Sequence, residues 1–71
     1  MNAMHDLQHQ VQDALMGDAY MRDHGIEVLD SNGVITLRGT VPTVEARERA
    51  EAIVREVTGV TSVINELDVV K

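Results

Sequence analysis

The dipeptide Asn32-Gly33, set between two apolar runs, constrains this chain more than any other feature. Both residue types tolerate the positive φ angles of a two-residue type I′ turn, so the flanking runs are expected to pair as an antiparallel hairpin. Downstream of it, Ile35, Leu37, Gly39 and Val41 alternate with Thr36, Arg38 and Thr40. That period of two predicts a strand over 34–41 with one apolar and one polar face. Upstream, Ile26-Glu27-Val28-Leu29-Asp30 supplies the partner strand. Gly39 falls on the apolar face, where a missing side chain leaves room for close approach of a helix.

Helical spacing brackets the hairpin. Met4, Leu7, Val11, Ala14 and Leu15 recur at steps of three and four, which predicts a helix over 4–16. Gly17 then suits a left-handed cap, and residues 18–25 read as a connecting loop. Beyond the hairpin, Pro42 ends the strand and Thr43 is placed to cap a second helix over 44–57. Ala46, Ala50, Ile53, Val54 and Val57 form its inner stripe. Glu45–Arg49, Arg47–Glu51 and Glu51–Arg55 are candidate ion pairs on its outer side. Gly59 suits the turn out of this helix. A last strand over 60–70 places Val63, Leu67 and Val69 on one face, together with Asn65.

The order is α-β-β-α-β. It predicts an α+β fold: a single domain with two helices packed on one face of a small three-stranded mixed sheet. The third strand lies parallel to the second if the two are neighbours; a place beside the first strand is the alternative. Residues 1–5 are an N-terminal segment, partly vector-derived if Met4 is the native start, and 6–71 form the domain.

Composition narrows the chemistry. With 71 residues, the chain is too short to enclose a deep catalytic pocket. Without Cys, Phe or Trp, its core rests on 11 Val, 5 Leu and 4 Ile. There is no thiol nucleophile, no cysteine zinc site, no Gly-rich phosphate loop and no activated serine setting. No enzymatic activity and no cofactor are expected. A net charge of -6 disfavours nucleic acid, and neither a Gly-x-x-Gly clamp nor stacking aromatics are present. The N-terminus has no basic and apolar pattern of an export signal, and no apolar run approaches a membrane span. A cytoplasmic location follows if the chain is complete, and a periplasmic or envelope one if it is a domain of a longer protein.

Few side chains stand out as a site. Met16, Tyr20 and Met21 cluster around the end of the first helix, with Arg22 adding a positive charge. Tyr suits membrane interfaces and Met suits adaptable surfaces, so this quartet is the candidate lipid or partner contact. The bland alternative is that Tyr20 and Met21 fold back over the edge of the core. His5 and His9 have a metal-compatible i, i+4 spacing, but they face away from the apolar stripe and read as solvated. Asn65, on an inner face, needs hydrogen-bond partners and reads as structural. Charge-driven docking would have to use Arg38, Arg47, Arg49, Arg55 or Lys71. Those on the second helix are interleaved with glutamates.

The run Asn32-Gly33-Val34-Ile35-Thr36-Leu37-Arg38-Gly39-Thr40-Val41 resembles the central hairpin of the BON domain (bacterial OsmY and nodulation). So does the ending Gly59-Val60-Thr61-Ser62-Val63-Ile64-Asn65-Glu66-Leu67, and Val11-Gln12-Asp13-Ala14-Leu15 fits the family's first helix. Within these runs, Gly33, Gly39, Gly59 and Asn65 read as structural from their own positions. The resemblance implies a non-enzymatic binding module that associates with phospholipid membrane or the cell envelope. The partner would then be phospholipid or an envelope protein. A protein-interaction or homo-oligomerisation module, or a regulatory domain of a larger chain, is the alternative.

Overall fold

A computed structural model describes residues 7–21 and 24–70. The elements follow in the order α1 (Leu7–Met16), β1 (Glu27–Ser31), β2 (Val34–Val41), α2 (Val44–Arg55) and β3 (Ser62–Val69). The sheet order is β1-β2-β3, with β1 antiparallel and β3 parallel to the central β2. The mixed sheet expected from the sequence is therefore present, and β3 lies beside β2 rather than β1.

The turn at Asn32-Gly33 is as its chemistry demands. Both residues take positive φ, 53° and 91°, and the Gly33 amide donates to the Asp30 carboxylate at 3.0 Å. Thr43 caps α2 by accepting the Ala46 amide at 3.0 Å. That satisfies one of the four N–H groups a helix start leaves open. The second helix ends at Arg55, two residues before the expected end, as Glu56 and Val57 turn back to the carbonyls of Ile53 and Val54. Gly59 turns the chain at φ 104° toward β3.

One face of the sheet carries the core. Ile35, Leu37 and Val41 of β2, Val28 of β1 and Leu67 of β3 are buried there. Val11 and Leu15 of α1, and Ala46, Ala50 and Val54 of α2, close over them. The two buried alanines let α2 lie low on the sheet, so aliphatic side chains suffice to fill the space.

Two glycine expectations need correction. Gly39 has φ 137°, and a Cβ there would sit 2.9 Å from the Gly25 carbonyl oxygen. The close neighbour is the backbone leading into β1, not a helix. Gly17 does not take a left-handed conformation; its amide continues the helical pattern to Asp13 at 2.9 Å. Met4–Asp6 of the expected first helix, and Arg22 and Lys71, lie outside the described residues.

Candidate functional site

The uncovered face of the sheet is mostly polar, with one row that exposes apolar side chains. The cross-strand row Glu27–Arg38–Glu66 places a cation between two acids, and Arg38 Nε donates to Glu66 at 3.1 Å. The next row on that face, Leu29–Thr36–Ile64, leaves Leu29 and Ile64 exposed.

Asn65 faces the other way, toward α2. Its amide nitrogen donates to the Arg47 carbonyl at 3.0 Å and to Glu51 Oε1 at 3.2 Å. Its oxygen accepts the Leu67 amide at 3.1 Å. Only this orientation matches donors with acceptors. The Val70 amide bonds across to Val41, and alternate residues of a strand point to opposite edges. The Leu67 N–H therefore belongs to the free edge of β3, and Asn65 closes one gap in that edge while pinning the strand to α2. Both of its helix partners, Arg47 and Glu51, lie within α2.

Beyond Met16, α1 gives way to a tight turn. Asp18 organises it. Its carboxylate accepts the Tyr20 amide at 2.8 Å and the Met21 amide at 3.3 Å. It also accepts a two-pronged bond from Arg49 of α2, with Nη2 at 2.8 Å and Nε at 3.1 Å. The Asp18 carboxyl is consequently held below its ordinary range. The Arg49 hydrogen bonds are the main cause, and partial burial works against them. The guanidinium pKa is raised in turn by the same carboxylate. Arg49 also lies over the Tyr20 ring, 5.9 Å from its centroid, and His24 meets that ring edge-on at 6.3 Å.

The turn separates the candidate contact residues. Met16 and Tyr20 are 66% and 47% exposed, whereas Met21 is 1% exposed and sits within the core. Met21 is thus not a surface contact: the turn set by Asp18 points it inward, where its flexible thioether fills the space between α1 and the sheet. Beside it lies a niche of about 50 Å³ lined by Gln12, Leu15, Met16, Met21, His24 and Ile26.

The cations proposed for charge-driven docking are largely committed. Arg38 pairs with Glu66, Arg49 with Asp18, and Arg55 with Glu51 at 2.7 Å. The expected Glu45–Arg49 and Arg47–Glu51 pairs are replaced, because Arg49 reaches Asp18 and Glu51 serves Arg55 and Asn65. Among the described residues, no group of three or more His, Asp or Glu side chains could hold a metal ion. No described helix is long and apolar enough to cross a membrane.

A family model for the BON domain matches residues 5–71, nearly the whole chain. The chain belongs to the BON-domain family. No curated protein matches it. BON domains are binding modules rather than a catalytic family. In this BON domain the residues carrying the resemblance take defined places in the fold. Asn32-Gly33 makes the hairpin, Gly39 admits the backbone before β1, and Asn65 ties the last strand to α2. Sequence reasoning singled out Met16 and Tyr20 through their residue types, but not the Asp18–Arg49 pair beside Tyr20. The two partners are 31 residues apart, so no local pattern connects them.

Proposed function

We propose that this BON domain is a non-enzymatic docking module that associates with phospholipid at a membrane or cell envelope. Apolar contact at Met16 and Tyr20 carries the association. The exposure of these two side chains, in a domain whose described arginines are mostly ion-paired, supports the reading. An acidic chain gains little from anionic headgroups, so burial of apolar surface must supply the affinity. Tyr20 is the chain's one aromatic residue, which makes it a clean reporter. Acrylamide quenching of its fluorescence should fall when phosphatidylcholine vesicles are added. Quenching that is unchanged at saturating lipid would overturn the assignment of Tyr20 to the contact.

A second reading, protein interaction or homo-oligomerisation, is favoured by one observation: the exposed Leu29–Thr36–Ile64 row beside the free edge of β3. Light scattering across a concentration series tests the self-associating form. A mass that stays monomeric at high concentration removes it.

A further inference from the structure

We propose that Arg49 is a positioning residue: through Asp18 and Tyr20 it holds the end of α1 in the shape that meets lipid. This rests on the membrane reading above and assigns Arg49 a part in it other than headgroup attraction.

One guanidinium touches both the carboxylate that shapes the turn and the ring that the turn carries. The Asp18 side chain is only 14% exposed and accepts from Tyr20, Met21 and Arg49 together. The segment is then fixed at two kinds of point. Met21 is anchored in the core, and Tyr20 is held between Arg49 and His24. Removing Arg49 leaves the Met21 anchor, so the fold survives, but it frees Tyr20 and the turn from α2. A contact surface ordered before binding does not lose that freedom on binding, and affinity rises accordingly. Lysine cannot replace the fork, because an ammonium donates as a point and lacks the planar pair of N–H groups that binds a carboxylate.

Two variants separate positioning from charge. Arg49→Lys keeps the cation and loses the fork. Asp18→Ala releases Arg49 and makes the chain less acidic. Each is assayed by co-sedimentation with vesicles of phosphatidylcholine alone and of phosphatidylcholine with phosphatidylglycerol. Positioning gives a loss of affinity of about three- to tenfold for both variants on both vesicles. Headgroup attraction gives the opposite sign for Asp18→Ala, which would bind the anionic vesicles more tightly, and near wild-type binding for Arg49→Lys. Either of those results overturns the proposal.

A lipid-free measurement keeps its failure distinct from failure of the membrane reading. In Arg49→Lys, amide hydrogen exchange at Tyr20 and Met21 should speed up while Ile35 and Val54 in the core stay as in wild type. Unchanged exchange at Tyr20 and Met21 overturns the pin itself. Wild-type protein that binds neither vesicle overturns the membrane reading, and with it the use assigned to the pin.

Discussion

Replacing Asn65 by aspartate changes one amide nitrogen to an oxygen and little else in shape. That atom now donates to the Arg47 carbonyl and to Glu51 Oε1, at 3.0 and 3.2 Å. In Asn65→Asp both contacts become oxygen against oxygen. Two hydrogen bonds are lost, each worth about 0.5–1.5 kcal/mol. A second carboxylate then faces Glu51 at close range, partly offset by Arg55, which adds about 1 kcal/mol. The cost at neutral pH is about 3 kcal/mol. A domain of this length has about 4–10 kcal/mol in total, so the fraction lost is large.

The sign with pH follows from linkage. Facing two oxygens, the introduced carboxyl has its folded pKa raised above the unfolded value of about 3.9. The deficit is therefore small below that value and grows as pH rises from it, levelling off above the folded pKa. Urea denaturation of wild type and variant measures it. With a slope near 1 kcal/mol per molar urea, the midpoint difference should be about 3 M at pH 7 and clearly smaller at pH 4. Asn65→Ala loses the bonds without adding charge, so its deficit should be smaller and nearly independent of pH. An Asn65→Asp deficit equal at the two pH values, or equal to that of Asn65→Ala at pH 7, would refute the reasoning.

Other perturbations have defined outcomes. Gly39→Ala should cost at least about 2 kcal/mol in chemical denaturation, since φ 137° is strained for alanine and its Cβ would press on the Gly25 carbonyl. Met21→Ala should cost about 2–4 kcal/mol as a cavity in the core, read as a lowered melting temperature. The Asp18 carboxyl should titrate below the usual aspartate range by NMR, and Arg49→Gln should move it up. Because its folded pKa is depressed, the stabilisation linked to Asp18 is present above about pH 4 and is lost as pH falls through the folded value.

The fold was legible because each element carries its own local signal. Asn32-Gly33 dictates the turn, the alternation over 34–41 dictates the buried face, and Thr43 marks the start of α2 to the residue. Asn65 was legible as a polar residue in need of partners, though not which ones. What escaped depends on distant parts of the chain. Met21 reads either as a surface contact or as folding back over the edge of the core, and its burial against the rest of the fold decides for the second. Arg49 fits an i, i+4 pair with Glu45 on a bare helix, yet a largely shielded carboxylate from the α1 turn offers it a better two-pronged partner. Gly39 signals a close approach, but not whose backbone makes it.

The claim that apolar contact at the end of α1 carries membrane association is tested most directly by vesicle co-sedimentation of wild type and Met16→Glu at physiological salt. Met16 is the most exposed large apolar side chain described, and its substitution leaves the core untouched. The expected result is saturable binding by the wild type to zwitterionic as well as anionic vesicles, and loss of that binding in Met16→Glu. Binding seen only on anionic vesicles at low salt, or equal binding by the two proteins, would contradict it.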